Sequence, residues 1–160
     1  MSLAARMRAA RRVFMEQLIA SSAGVLAMVA SIAFFQVGLV TGAWKYFCVR
    51  SSPVAEAPVY VNIAHRAALM YAFASLLLAI LASLSVFDET VNLLAVAFPL
   101  FYFSLAVVRY IQLGITRSTD NQHLNPPNRG GELALLLSLI VAEIGGFTVL
   151  SLGFLLRVFG

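Results

Sequence analysis

The chain has 160 residues, of which 61% are hydrophobic and 11% charged, and its mean hydropathy is +0.92. Ordinary globular chains carry about a quarter charged residues, so this composition excludes a soluble domain and predicts a protein solvated by a lipid bilayer. The formal charge of +4 does not indicate nucleic acid, because the cations are dispersed at helix ends without interleaved aromatic residues. Phosphate headgroups of lipids are the expected counterions.

The N-terminal residues 1–16 combine an apolar stripe with a cluster of arginines. The stripe follows spacings of four, three and four residues, and the arginines lie largely off it; its members are Leu3, Met7, Ala10 and Phe14, and the arginines are Arg6, Arg8, Arg11 and Arg12. This pattern predicts a short helix at the membrane interface. A frayed basic tail is the alternative.

Four later segments are long and apolar enough to cross about 30 Å of hydrocarbon, which takes roughly 20 helical residues. They cover residues 17–40, 67–86, 91–114 and 133–156. The first exceeds the roughly 7–15 apolar residues of a signal peptide, which predicts a retained helix. The sequence therefore predicts one transmembrane domain over residues 1–160: an all-α integral membrane four-helix bundle with antiparallel up-down topology.

Three connections separate the predicted spans. The first, residues 41–66, mixes interfacial aromatics, cations and prolines; the second, residues 85–92, is short enough for a tight hairpin, with Asp88 capping the third span. In the third, residues 115–132, Glu132 favours the N-terminus of the fourth span. The residues expected to stop any helix there are Pro126, Pro127, Gly130 and Gly131.

Alternation of the spans puts connections one and three on one membrane face and the N-terminus, connection two and the C-terminus on the other. Lysines and arginines are nearly balanced between these faces, and the dense N-terminal cluster favours a cytoplasmic N-terminus. The compact chain shows no evident organelle address, so a bacterial inner membrane is the expected location.

Small residues at helical spacing mark the predicted helix contacts, because helices in lipid pack by close backbone approach. They form GLVTG in the first span, a stripe in the second, and a pair in the fourth: Gly38 and Gly42; Ser75, Ala79 and Ser83; Gly145 and Gly146. Pro99 removes an amide donor and predicts a kink in the third span.

Glu143, in the stretch LIVAEIGGFTVL, is the polar residue that most needs an explanation. It lies about ten residues into the fourth span, roughly 15 Å deep. An ionised carboxylate there costs at least about 2.5–3.5 kcal/mol, so it is expected to face the bundle interior, to pair, or to stay protonated. Arg109, in the antiparallel third span, is the predicted partner.

The predicted pair of Arg109 and Glu143 would bind an anionic or hydrogen-bonding ligand, or relay protons. Two structural alternatives stay open: a clamp between helices, and a protonated glutamate bonded to a backbone carbonyl. A second polar set lies toward the face of connections one and three, where it could bind a thiol, carboxylate or phosphate or simply anchor the helices at the interface. It consists of Gln36, Asn62, His65, Arg66, Tyr110, Gln112 and Arg117.

Metal and redox chemistry have little support in the sequence. Cys48 is the single cysteine and cannot form an intrachain disulfide, and no spacing typical of metal ligands occurs. His65 and His123 are candidate haem ligands, but they form no intramembrane pair. The motifs of P-loop, dinucleotide-binding and serine-hydrolase proteins are absent from the sequence.

The segments WKYFCVRSSPVAEAPVYVNIAHRA and VRYIQLGITRS resemble the MAPEG superfamily of small four-helix membrane proteins of eicosanoid and glutathione metabolism. Arg66 and Ala67 correspond to its Arg-Ala at the start of the second helix; the positions matching its Arg-Tyr-rich third helix are Arg109, Tyr110 and Arg117. The chain has Met70 and Phe73 where the family pattern has asparagine and glutamate.

This resemblance implies a trimer that binds glutathione between subunits, at the face of connections one and three, with an arginine stabilising the thiolate. It also implies that this face is cytosolic, opposite to the expectation from the N-terminal charges.

Three functions are compatible with the sequence, which does not decide whether the protein is an enzyme. The first is binding of a lipophilic or lipid-like ligand, or of a partner subunit, at a polar site between spans three and four. The second is a MAPEG-like glutathione-dependent transferase or peroxidase acting on lipophilic substrates. The third is a proton- or ion-coupled carrier or channel formed by a homo-oligomer.

Overall fold

The computed structural model describes residues 3–124 and 128–160, and this part of the chain folds into five helices without a strand. They are α1 (Leu3–Ala20), α2 (Ser22–Ser51), α3 (Val59–Leu84), α4 (Glu89–Thr116) and α5 (Arg129–Phe159). Helices α2 to α5 are each long and apolar enough to cross a membrane. The prediction of an all-α membrane four-helix bundle is confirmed.

Helix α1 is longer than the predicted N-terminal helix and reaches Ala20, so the frayed-tail alternative is wrong for residues 3–20. Leu3 and Met7 of the predicted stripe are exposed, at 75% and 66%. The side chains of residues 8, 10 and 14 lie outside the described part of the structure, as do Pro126 and Pro127. The interfacial position of α1 stays a prediction.

A single extended residue, Ser21, separates α1 from α2, with φ −86° and ψ 114°. Its hydroxyl accepts a hydrogen bond from the Gly24 amide at 3.0 Å, the usual N-cap arrangement. A second cap comes from α4, where Glu89 Oε1 accepts from the Ala23 amide at 2.7 Å and Oε2 from the Ser21 hydroxyl at 3.4 Å. The first span therefore begins at Ser22 rather than at Gln17.

The first connection is much shorter than predicted and covers residues 52–58. Trp44 to Arg50 stay helical in α2, and Tyr60 to Arg66 are helical in α3. Interfacial aromatics and cations mark where a helix leaves hydrocarbon, and they do not stop it. The breakers Pro53 and Pro58 do, and Pro58 is the N-cap residue of α3.

The other two connections cover residues 85–88 and 117–128. Asp88 caps α4 as predicted, with Oδ1 accepting from the Thr90 and Val91 amides at 3.1 and 3.2 Å. Gly130 and Gly131 do not stop the helix: they lie in the first turn of α5, where Asn128 Oδ1 accepts from the Gly131 amide at 3.0 Å. Glu132 lies in that turn, as expected.

Close backbone approach holds α2 against α3. A Cβ atom on Gly42 would lie 2.8 Å from the His65 ring, and one on Gly38 would meet the Leu69 side chain and lie 3.4 Å from its backbone nitrogen. The GxxxG prediction is therefore confirmed as a helix interface. The predicted stripe of α3 is buried as well, and consists of Ser75, Ala79 and Ser83.

Helix α5 packs on α3 and α4, and within the described residues its backbone does not approach α2. Gly146 meets the Ala95 carbonyl and Pro99, whereas Gly145 has open space around it, so only one glycine of the predicted pair is a contact. Pro99 lies within a continuous α4. Because proline has no backbone amide, the Ala95 carbonyl accepts no helical hydrogen bond from Pro99, and α5 approaches α4 at this carbonyl.

Candidate functional site

Glu143 lies on the side of α5 that faces the bundle. The less exposed positions of this half of the helix recur at spacings of three and four, and they are Leu139, Ala142, Glu143, Gly146, Val149, Leu150 and Gly153. Glu143 itself is half-buried. The expected inward orientation of this carboxyl therefore agrees with the placement of α5.

Two tyrosines from the neighbouring helices lie within electrostatic range of this carboxyl. They are Tyr71 of α3 and Tyr110 of α4, which also lie within electrostatic range of each other. Side chains of a helix lean toward its N-terminus. Because α3 and α5 run parallel and α4 runs against them, Glu143 and Tyr71 lean toward the α4–α5 loop while Tyr110 leans to meet them.

The ring of Tyr71 is held in an aromatic cluster. It stacks on Phe103 with ring centres 4.1 Å apart and planes 10° apart, and it contacts Phe34 at 6.1 Å. These contacts fix the ring between α2, α3 and α4. The hydroxyl is the only part of the side chain left to form a polar contact.

Within the described residues, the Glu143 carboxyl and the hydroxyls of Tyr71 and Tyr110 form no hydrogen bond or ion pair with protein atoms. All three lie in helices long and apolar enough to cross a membrane. Polar groups at such positions are costly unless something pairs with them. Their convergence makes this cluster the candidate functional site.

The predicted ion pair between Arg109 and Glu143 does not form. Arg109 is exposed, and its Nη1 donates to Gln112 Oε1 at 3.0 Å on the same helix. Successive residues of a helix are rotated by about 100°. Tyr110, one position later, therefore faces α5 in place of Arg109.

An apolar groove of about 640 Å³ runs between α4 and α5. Ala142 lines it directly beside Glu143 in sequence, and Ser138 and Tyr102 add the hydroxyl groups. Its other walls are Val91, Leu94, Ala95, Phe98, Leu137, Val141, Gly146 and Val149. The volume and apolar character are typical of sites for small lipophilic molecules.

The second predicted set is not brought together. His65 Nδ1 lies 2.9 Å from the Gly38 carbonyl oxygen and joins α3 to α2, while Arg66 is exposed. Arg117 is exposed at the C-cap of α4 in the left-handed conformation, with φ 49°. Gln36 lines a separate groove of about 380 Å³ between α2 and α4. Tyr110 alone belongs to the cluster around Glu143.

Tyr71 is the member of the cluster that the sequence analysis did not single out. Its signal is a hydroxyl near the middle of an otherwise apolar span, the same kind of signal that identified Glu143. In the described part of the chain, no group of three or more His, Cys, Asp or Glu residues is placed to hold a metal ion.

Comparison of the chain with known protein families, curated proteins and solved structures found no match of any of the three kinds. The resemblance to the MAPEG superfamily stays a prediction.

Proposed function

We propose that this membrane protein binds an amphiphilic molecule at the α3–α4–α5 site, with the polar head at Glu143, Tyr71 and Tyr110 and the apolar tail in the α4–α5 groove. The single observation that carries the proposal is that three polar groups of the long apolar helices α3, α4 and α5 lie within electrostatic range of one another without hydrogen bonds to protein atoms of the described residues, while an apolar groove between α4 and α5 passes Ala142, the residue before Glu143. A bound head could satisfy these groups, and the groove could take a chain. Binding of this kind needs no catalytic set.

The charge of the site favours a hydroxyl or amine head over an anionic one. Arg109 is turned away, and among the described residues no cation pairs with Glu143. An anionic head would meet an acidic residue in surroundings that weaken solvent screening. A hydroxyl can donate to the carboxyl and accept from a tyrosine at the same time.

A photoreactive long-chain alcohol tests this proposal in detergent, with crosslinks mapped by mass spectrometry. We expect labelling of residues 137–149 and 91–102, and weaker labelling there by the matching long-chain carboxylic acid. Removing one partner of a buried hydrogen bond costs about 1–3 kcal/mol, so Glu143→Leu is expected to lower labelling by roughly fivefold or more.

Two further variants distinguish labelling in the groove from labelling on the outer surface of α5. Ala142→Leu fills the groove and is expected to reduce labelling, whereas Gly145→Leu lies in open space and serves as the matched control. Equal groove labelling in the wild type and Glu143→Leu would rule out the proposed role of the carboxyl. Equal labelling by the alcohol and the acid would rule out the preference for the head group.

A further inference from the structure

A line of polar side chains continues from the candidate site toward the α4–α5 loop. Tyr110 stacks on Tyr60 of α3, with ring centres 6.1 Å apart and planes 24° apart. Tyr60 is 5% exposed, and its hydroxyl accepts a hydrogen bond from the Gln122 amide at 2.7 Å. The hydroxyls of Tyr71, Tyr110 and Tyr60 thus lie in sequence between Glu143 and the loop.

The outer end of this line lies at the surface. Next to Gln122, His123 Nδ1 contacts Glu132 Oε1, and the side chain of His123 is 69% exposed. The line therefore runs from a half-buried carboxyl to an exposed, polar part of the α4–α5 loop.

In the opposite direction, from Glu143 toward the α3–α4 loop, the contacts between α5 and its neighbours are apolar or made by backbone and serine atoms. Gly146 lies against the Ala95 carbonyl and Pro99, Leu150 is 0% exposed, and Gly153 lies against Phe87 and Ser85. These contacts leave no continuous line of titratable side chains on that side of Glu143. The structure is thus polar on one side of the carboxyl and apolar on the other.

We propose that Glu143 exchanges protons selectively with the aqueous phase on the side of the α4–α5 loop, by way of Tyr71, Tyr110 and Tyr60. When the carboxylate is protonated, each hydroxyl in the line passes on its proton and accepts another, and the solution on that side loses one proton. Where two of these groups are farther apart than a hydrogen bond, the transfer requires a bridging water molecule.

Among the described residues, two helices, α3 and α4, pack against α5, and each brings one titratable group within electrostatic range of Glu143: Tyr71 from α3 and Tyr110 from α4. His65 is engaged with Gly38 of α2, and Arg109 with Gln112. Proton exchange therefore depends on the tyrosines, and it requires the position of Glu143 but not a bound amphiphile.

A lipophilic carbodiimide, which reacts with protonated carboxyls in apolar surroundings, tests the inference in proteoliposomes whose inner and outer pH are set separately. The modified fraction of Glu143 is read by mass spectrometry of its peptide. Cys48 lies near the α2 end on the same face as the α4–α5 loop and is the single cysteine of the chain, so an impermeant thiol reagent identifies the side of each population. No amphiphile probe is added.

We expect the modification rate to change several-fold with the pH on the α4–α5 loop side and to be insensitive to the pH on the other side. Tyr110→Phe is expected to slow this response, and Tyr71→Phe is a second variant that interrupts the line at another point. Tyr46→Phe, an exposed change on α2, is the control and should respond like the wild type.

A rate that follows the pH of the α3–α4 loop side, or that responds to neither side, would overturn the inference. So would an unchanged response in both Tyr110→Phe and Tyr71→Phe. Because these outcomes are independent of labelling by the alcohol probe, a failure here and a failure of the proposed ligand binding can be told apart.

Discussion

Helices α2 and α3 contact each other over several turns, whereas α5 is held to the bundle mainly along its C-terminal half. From Ser31, whose hydroxyl donates to the Ala72 carbonyl at 2.8 Å, to Gly42 against His65, α2 and α3 stay in contact. In the most apolar stretch of α5 only 6% of the residues are buried, against 44% in α3. Both helices are equally apolar, so hydropathy does not set this difference.

The difference lies in the size of the residues at the contacts. In lipid, helices gain little from hiding apolar side chains from one another, and they associate where small residues let backbones approach. Helix α5 approaches its neighbours closely at Gly146 and Gly153, and its N-terminal half carries large aliphatic side chains outward. The groove and Glu143 lie next to this less tightly held half, as is common for binding regions.

The largest effect on stability is expected from a leucine in the contact between α2 and α3. Gly38→Leu forces its side chain into Leu69 and its backbone, and overpacking of this kind costs about 1–3 kcal/mol, occasionally more. The free energy of unfolding can be measured by denaturant titration in detergent, followed by Trp44 fluorescence. Gly145→Leu is the control, expected within about 0.5 kcal/mol of the wild type. An equal loss of unfolding free energy in Gly38→Leu and Gly145→Leu would contradict the conclusion that α2 and α3 pack more tightly than α5 packs on the bundle.

Gly146→Leu tests whether the close contact at Gly146 is needed to hold α5 against α4. It would meet the Ala95 carbonyl and Pro99, and we expect α5 to separate from α4 while α2, α3 and α4 stay folded. Limited proteolysis in detergent should then cut the α4–α5 loop or α5 faster than in the wild type, with the Trp44 unfolding transition little changed. Loss of that transition together with α5 would show instead that the four helices unfold as one unit.

The smallest effect is expected at the start of α2, far from both interfaces. Glu89→Ala removes the acceptor of the Ala23 amide and should lower the free energy of unfolding by about 1 kcal/mol, the usual cost of a lost N-cap. The same denaturant titration measures it. Glu56→Ala, an exposed change in the α2–α3 connection, is the control. A loss no larger than in that control would exclude a stabilising role for the cap between helices.

Much of the fold follows from the sequence because a span is defined by length and apolarity alone. The GxxxG contact and the cap at Asp88 were also predictable, since each depends on local spacing. The ends of α2 and α3 were not, because Trp44, Tyr46 and Arg50 mark the interface and are compatible with a helix that continues through it. At Gly130 and Gly131, the Asn128 cap outweighed the weak helix propensity of glycine.

The sequence predicts how deep in the fourth span the candidate site lies, but it does not predict which residues of the neighbouring helices meet Glu143. Counting residues placed Glu143 well inside the fourth span, and a carboxyl there pointed to a polar site. Which residue of α4 would meet it depended on how that helix is rotated against its neighbours, and this is set by packing among α2, α3 and α4. Because of this rotation, Tyr110 and not Arg109 lies on the side of α4 toward α5. Tyr71 also belongs to the cluster, although it lies in a different span, α3.

The cap on α2 has a consequence for the order of assembly. Ala23 and Glu89 are 66 positions apart, and between them the chain contains all of α3. During synthesis α2 therefore emerges with that amide unsatisfied, and only the local serine can stabilise its first turn. The hydrogen bond that Glu89 accepts from Ala23 can therefore form only after the ribosome has made α3 and the first turn of α4.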